Sequence, residues 1–517
     1  LSSDPWGPAP TGGHVLRWAL AGGGGIFAIG LVALALLPTF APWLAPLLGL
    51  EVGAATWCGR GICVERLERG GVVADHAVLG WDRRLHLTTV RVDAPSASTD
   101  LGGGDGFDPR SLLTAIEVDD LQVSGAPLPS LSGEVWPARD LEGEGVHVEG
   151  DTVHATLPTP LGELAIDASR QADDGLLAVT ATCSLCTLPA PSADDLPLPL
   201  PTLTLRGTWN GETFDGTLRA DDVVSHVDVT RADGIAHATI DLTTTPIASI
   251  YALVGAWVPE VARARIQGSV WGTARLRWDG SLHLDELSPQ VSDFVVEGLV
   301  PEDLAGGTFR FVGKDPAGEP TTFTRGEGTR EWLSLPQLGI WLPASVIAAE
   351  DASFREHPGY SLEGMREAAS KNAEEGDIVR GGSTLTQQLA KNLFLDGTRS
   401  YARKLREILY AVEMERELGK SRILELYLNV VEFGPGIRGA GPATDLYFLK
   451  APLGLLPEEA AWMASILRNP KTAFKRQYLA DSVDDSRIDW ILGNLRGVPD
   501  AQRQAASGRK VRLVPPP

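Results

Sequence analysis

The sequence predicts a multidomain chain in which an N-terminal transmembrane helix precedes a mainly-β region and a mostly-α C-terminal region. Three observations carry this. The chain has 517 residues, more than one hydrophobic core ordinarily serves. Its apolar residues run unbroken near the N-terminus, alternate with a period of two through the middle, and recur at helical spacing after Trp332. Its net charge of −22 is concentrated, since residues 51–330 hold 20 Lys and Arg against 42 Asp and Glu while residues 331–517 hold 24 of each. The segments that follow are 1–50 for a tail, anchor and interfacial stretch, 51–330 for the β-rich region, 331–480 for the helical domain, and 481–517 for a C-terminal helix and tail.

From Val15 to Leu37 the only charge in 23 residues is Arg17. At about 1.5 Å per residue, a helix of that length crosses a hydrocarbon core of about 30 Å. The run is long for a cleaved signal peptide and lacks the amphipathic period of a core helix, so it reads as a membrane anchor. Pro38 to Leu50, with Trp43, reads as an interfacial apolar segment.

Between Glu51 and Arg330, short alternating runs such as Arg84 to Val92, Thr202 to Gly207 and Ala274 to Trp278 are separated by Gly, Pro and Asp, which is the pattern of half-buried strands. Ile116 to Gly125 and Val291 to Gly298 share a cadence that suggests repeated β units. The Pro- and Asp-rich stretch 187–201 reads as an internal loop or a division between two units. In texture this region resembles AsmA-type periplasmic β modules. Its acidic surplus excludes nucleic acid and repels anionic lipid surfaces. Four cysteines fall in two close pairs, Cys58/Cys63 and Cys183/Cys186, whose unequal spacings favour disulfides or free thiols over one zinc site.

The helical part carries the chemistry. Ala344 to Ala349 is an apolar run that ends in Glu350, so a helix built on it delivers a carboxylate from an apolar wall, where burial raises its proton affinity. An exposed acidic helix end, which Asp351 or Glu356 would serve equally well, is the plainer alternative. Gly381-Gly382-Ser383-Thr384 reads as a turn feeding a helix capped by Ser383 or Thr384, a start suited to phosphate. One turn on, Gln387, Gln388 and Lys391 bunch into a polar face. Arg403 and Glu407 stand at i,i+4 with Lys404 between them; as a surface ion pair this is worth only about 0.3–0.5 kcal/mol, so a diphosphate with a divalent metal explains the cluster better.

In order and spacing these segments resemble glycosyltransferase family 51, the peptidoglycan glycosyltransferases. The resemblance rests on Glu350 to Gly359 (E-D-x-x-F-x-x-H-x-G), Gly381 to Asn392 (G-G-S-T-x-T-Q-Q-x-x-K-N), Arg403 to Glu407 (R-K-x-x-E), Lys420 to Asn429 (K-x-x-I-L-E-x-Y-L-N), and Phe433-Gly434 through Tyr447-Phe448. It covers residues 333–475. It implies a lysozyme-like helical fold that polymerises lipid II into β-1,4 glycan strands with inversion and release of undecaprenyl diphosphate. Glu350 would act as general base, and Glu407 as a second catalytic residue and ligand of Mg²⁺ or Mn²⁺. Asp351, Phe354, His357, Gly382, Ser383, Thr384, Gln387, Gln388, Lys391, Asn392, Arg403 and Lys404 would bind substrate. Glu425, Tyr427 and Asn429 would brace the cleft. The implied partners are lipid II, the growing glycan strand and the cytoplasmic membrane, with a transpeptidase or envelope protein at the β-rich region. The implied location is the bacterial inner membrane, single-pass, with the catalytic domain in the periplasm.

The sequence departs from the family pattern at Ser361, Glu367, Arg380, Leu449, Pro442 and Asp445. No S-x-x-K, S-x-N and K-T-G set accompanies the helical domain, so polymerisation without transpeptidation is expected. Two other functions compete: a lysozyme-type cleaving enzyme, which has no use for the Arg403, Lys404 and Glu407 cluster, and a catalytically weak envelope scaffold.

Overall fold

The computed structural model describes residues 51–516, apart from 59–60, 70–71, 81–83, 94–114, 127–138, 150–151, 160–161, 172–175, 189, 191–195, 211, 233–234, 279–281, 365–381 and 396–399. The expected anchor Val15 to Leu37, the interfacial segment after it, and Glu367, Arg380 and Gly381 lie outside the described residues. Among the described residues no helix is long and apolar enough to cross a membrane. The chain divides into two compact units, one taking residues up to 191, 197–245 and 271–290, the other 192–196, 246–270 and 291–517.

The first unit is built on a 16-stranded sheet in which most strands lie beside their neighbours in sequence. Arg84–Asp93 runs parallel to Ala115–Ala126, whereas its other neighbour, Val72–Gly80, is antiparallel. Alternation sorts the side chains. On Thr213–Ala220 and Val223–Ala232, Phe214 faces Val229 and Gly216 faces Val227 on one side, while Asp215 faces Asp228 and Thr217 faces His226 on the other. Gly207 and Gly216 pair directly, and a Cβ on either would strike the Phe214 ring, which lies across the pair. An aromatic ring over paired glycines restores the apolar contact their missing side chains give up. The cysteines form Cys58–Cys63 and Cys183–Cys186 disulfides, each with Cα atoms 5.7 Å apart.

Of the two readings of 187–201, an internal loop or a division, the strand pairing fits the internal loop. Leu177–Ser184 pairs antiparallel with Leu203–Trp209 across the whole stretch, and the intervening residues close on themselves through Thr187–Leu188 and Leu198–Pro199.

The second unit is mainly helical. Its α-helices include, among the described residues, α1 (Ile247–Leu253), α2 (Asp303–Gly306), α3 (Trp341–Glu350), α4 (Leu385–Phe394), α5 (Tyr401–Val430), α6 (Ala440–Phe448), α7 (Pro457–Ile466), α8 (Pro470–Ala473), α9 (Asp485–Gly493) and α10 (Asp500–Ala506). Trp462, Tyr427, Tyr447, Phe354 and Phe433 are the largest side chains sealed in its core. Gly419 breaks α5 with φ of 68° and ψ of 165°, a conformation that glycine adopts without a Cβ penalty. This unit takes in more chain than 331–480. The hairpin Thr308–Lys314 with Pro320–Gly326 belongs to it, because Phe309 and Phe311 alternate inward into the helical core and Phe311 stacks on Phe323 at 5.4 Å. So do α9 and α10, whose Ile488, Ile491, Leu492 and Ala506 are buried there.

The described departures from the family pattern have local explanations. Ser361 Oγ accepts the amide of Gly364 at 3.0 Å, as an N-terminal helix cap does. Pro442 sits in the first turn of α6, where no intrahelical N–H is lost, and Asp445 is exposed. Leu449 ends α6 in the left-handed region at φ 54° and ψ 40° with its side chain 72% exposed. A leucine there pays the left-handed penalty and recovers little from packing. Leu449→Gly should therefore raise stability by about 0.5–1 kcal/mol in denaturant titrations; an unchanged or lower midpoint would show that the left-handed turn is not strained.

Candidate active site

The site begins with α3. Leu342 and Val346 bury one side of the helix in the core, and its last residue is Glu350. Burial is the largest influence on Glu350 and raises its proton affinity above the ordinary carboxylate range; a hydrogen bond from Gln388 and the charges of Arg487, Lys391 and Arg468 pull the other way. Gln388 Nε2 donates to Glu350 Oε2 at 3.0 Å, and Gln388 Oε1 accepts from Tyr427 Oη at 2.9 Å. The fully buried Tyr427 thus fixes the amide that fixes the carboxylate. Arg487 Nη2 donates to the carbonyl of Ala349 at 3.1 Å, one residue before Glu350.

The next residues turn inward. Asp351 Oδ2 accepts the amide of Leu385 at 2.9 Å at the start of α4, and His357 Nε2 lies 3.0 Å from both Asp351 oxygens. Gly359 N donates to His357 Nδ1 at 3.2 Å, so the imidazole carries its proton on Nε2 and gives it to Asp351. Phe354 is 1% exposed, with the Lys420 ammonium 4.6 Å from its ring centroid. Asp351, Phe354 and His357, expected at the substrate, therefore build the turn behind Glu350. A motif shows which residues recur together, and it is silent on which of them face solvent.

Helix α4 is capped by Thr384. Its Oγ1 accepts from Gln387 N at 3.2 Å and donates to Gly359 O at 2.7 Å, while Gln387 Oε1 accepts from Thr384 N at 3.2 Å, completing a capping box. Thr384 and Gln387 are thus committed to structure, which leaves Gly382, Ser383, Gln388, Lys391 and Asn392 as the partly exposed members of that segment. Gln387 and Gln388 also diverge, the first toward Lys404 and the second toward Glu350, because adjacent helix positions lie about 100° apart. Asn392 Nδ2 donates to Gln388 O at 2.8 Å, and Arg438 Nη1 donates to Asn392 Oδ1 at 3.4 Å.

Helix α5 opens with Ser400 as its cap and carries the cations. Lys404 Nζ donates to Ser383 Oγ at 2.5 Å, Gln387 Oε1 at 3.0 Å and Glu407 Oε2 at 3.0 Å. Arg403 Nε lies 3.1 Å from Glu407 Oε1 without the alignment of a hydrogen bond. Burial pulls the Lys391 ammonium below its ordinary range; Glu407 opposes this, Arg403 and Lys404 add to it, and Glu350 opposes it. Glu350 and Lys391 each feel the other's charge, and Lys391 in turn feels Arg403, Lys404 and Glu407. Beside them opens a groove of about 1050 Å³ lined by Arg403, Lys404, Ser465, Arg468, Asn469 and Arg476 among others. Arg468, Arg476 and Arg487 were not legible as site residues, since isolated arginines in an amphipathic stretch look like solvated surface.

A divalent cation at Glu407 does not fit the residues as they stand. Such ions collect about six oxygen ligands. Glu407 is 3% exposed and both of its oxygens are already engaged, by Arg403 and Lys404, with a further ammonium in Lys391 nearby. Arg403, Lys404 and Lys391 surround Glu407 with positive charge, which complements an anion better than a cation.

Glu425 Oε2 accepts from Leu335 N at 2.6 Å, and Asn429 exchanges hydrogen bonds with the Leu333 backbone at 2.9 and 2.8 Å. These residues tie α5 to the segment that leads into α3.

Residues 318–496 match the transglycosylase family model. The chain is 47% identical over 148 residues to a biosynthetic peptidoglycan transglycosylase of Aromatoleum aromaticum, covering 29% of this chain and 64% of the relative. It is 45% identical over 141 residues to that of Thiobacillus denitrificans, covering 27% and 61%, and 45% identical over 167 residues to that of Ralstonia nicotianae, covering 32% and 71%. It thus spans somewhat less than two thirds of the first two relatives. With the motif order, the partly buried glutamate at the end of α3 and the cationic opening of α5 all in place, the chain belongs to the transglycosylase family through its C-terminal region.

Proposed function

We propose that the chain is a peptidoglycan glycosyltransferase that joins lipid-linked disaccharides into β-1,4 glycan strands. The observation that carries this is the convergence on α4 of Glu350, held by Gln388 at 3.0 Å, and Lys404, held by Ser383 and Gln387 at 2.5 and 3.0 Å, with Lys391 one turn on along the same helix. A carboxylate of raised proton affinity accepts the proton of the attacking sugar 4-hydroxyl. The anomeric carbon under attack loses its polyprenyl diphosphate as the new C–O bond forms, and a single displacement inverts that carbon. Lys391, Arg403 and Lys404 receive the charge that develops on the departing diphosphate. Ser383, Gln388 and Asn392 border the reacting groups, while Thr384, Gln387, Asp351 and His357 hold their backbone. We place the reaction at the outer face of the cytoplasmic membrane, with Val15 to Leu37 as the anchor.

A cleaving enzyme needs an acid and a water site and gains nothing from three clustered, partly exposed cations. The two activities separate cleanly. Incubated with lipid-linked disaccharide, the protein should consume it and yield polymer; release of fragments from finished strands with the lipid-linked substrate untouched would replace polymerisation with cleavage.

A further inference from the structure

The face of α5 next to the cation cluster is gripped by residues outside the stretch 318–496 that matches the family. Glu260 is 3% exposed, and its carboxylate takes Arg406 in a fork: Nε donates to both oxygens at 2.9 Å and Nη2 donates to Oε1 at 2.7 Å. Arg263 Nη2 donates to Tyr410 Oη at 2.8 Å, and Tyr251 Oη donates to the carbonyl of Leu405 at 3.2 Å. One turn further on, the buried Glu413 accepts the amides of Gly298 and Leu299 at 2.7 and 2.8 Å. Arg406, Tyr410 and Glu413 fall on one stripe of the helix by i,i+4 and i,i+3 spacing, while Arg403, Lys404 and Glu407 fall on another about 110° away. A helix held on the first stripe cannot rotate about its axis without carrying the second with it.

We infer that Glu260 is a positioning residue for glycosyl transfer, acting through Arg406 to set the rotation of α5 and so the aim of Arg403 and Lys404 at the diphosphate. This rests on the polymerase reading for its kinetics but not for its geometry. The fork is the strongest of these contacts because a bidentate guanidinium–carboxylate pair fixes direction as well as distance. Cations misplaced by about 1 Å can cost a factor of about 100 in rate.

The test uses the full chain with Glu260→Gln, Arg406→Met and the double variant. Arg406→Met leaves the buried Glu260 carboxylate without its fork, Glu260→Gln leaves Arg406 without its counter-charge, and each should lower Tm; the double variant removes both charges and should recover Tm toward wild type. If the fork only stabilises, rate recovers with Tm. If it positions, the double variant keeps near-normal Tm and KM for lipid-linked disaccharide while kcat stays about 10–100-fold down. The affinity of the same proteins for inorganic pyrophosphate, measured by calorimetry, reads the cation cluster without catalysis and should weaken about tenfold in the double variant. Wild-type kcat and wild-type pyrophosphate affinity in a double variant of normal Tm would overturn the proposal. An inactive wild type would instead sink the polymerase reading, and pyrophosphate affinity would still decide the positioning role.

Discussion

Glu350→Gln should lower the rate of polymerisation by about 10³ while leaving the protein folded and more stable than wild type at neutral pH. The rate loss follows from removing the carboxylate assigned to take the sugar proton. The stability gain follows from the sign of the shift. Burial raises the folded-state proton affinity of Glu350 above its unfolded value. Its favourable contribution is therefore complete below the unfolded pKa and is lost as pH rises through the folded one. Above that window the buried carboxylate is a liability that glutamine does not share, and an amide at position 350 can still accept from Gln388 Nε2. Thermal unfolding of both proteins from pH 4 to 8 checks this: the variant should gain on wild type as pH rises. A variant that loses stability at neutral pH would show that Glu350 is held by its neighbours' charges more than it is penalised by burial.

Lys404→Met should be the most damaging change in the cation cluster, because two of the three hydrogen bonds of Lys404 Nζ join α5 to Ser383 and to Gln387 of the α4 capping box, while the third holds Glu407. Methionine fills the space of the stem and removes the charge. Glu407, 3% exposed, then keeps Arg403 alone as its close ion-pair partner, and Gln387 loses one of its donors. Breaking a buried pair costs about 3–5 kcal/mol when both groups are enclosed; with the Lys404 side chain 29% exposed, about 1–2 kcal/mol is expected. Loss of one cation facing the leaving group should lower kcat by about 10²–10³. Steady-state kinetics and denaturant unfolding together measure both parts. A variant that loses stability but keeps kcat would assign Lys404 to the helix junction alone.

How far the sequence reaches is clearest at α4. Thr384, three residues before Gln387, is a capping box by spacing alone, and Ser383 or Thr384 was the expected start. The same spacing made Gln387 and Gln388 look like neighbours on a substrate face, and there the reading fails, because a helical period places side chains around an axis without saying which direction meets solvent. At α3 the apolar run ending in Glu350 was sufficient, since a carboxylate that closes a buried helix is drawn into its wall. Glu260 and Glu413 left no trace in the pattern. A lone acid earns its burial from a partner more than a hundred residues away, as with the 146-residue separation of Glu260 and Arg406. The edge of the helical unit was misjudged for a related reason. Alternation in Thr308–Lys314 announces a strand, but the core into which Phe309 and Phe311 point is set by tertiary packing.

The most direct measurement counts products. With purified full-length protein and radiolabelled lipid-linked disaccharide, one polyprenyl diphosphate should be released for each disaccharide incorporated, every new linkage should be β-1,4, and both signals should vanish together in Glu350→Gln. Polymer formed at the wild-type rate by that variant, or diphosphate released without glycosidic bond formation, would contradict a mechanism in which one partly buried carboxylate faces a cationic cradle for the leaving group.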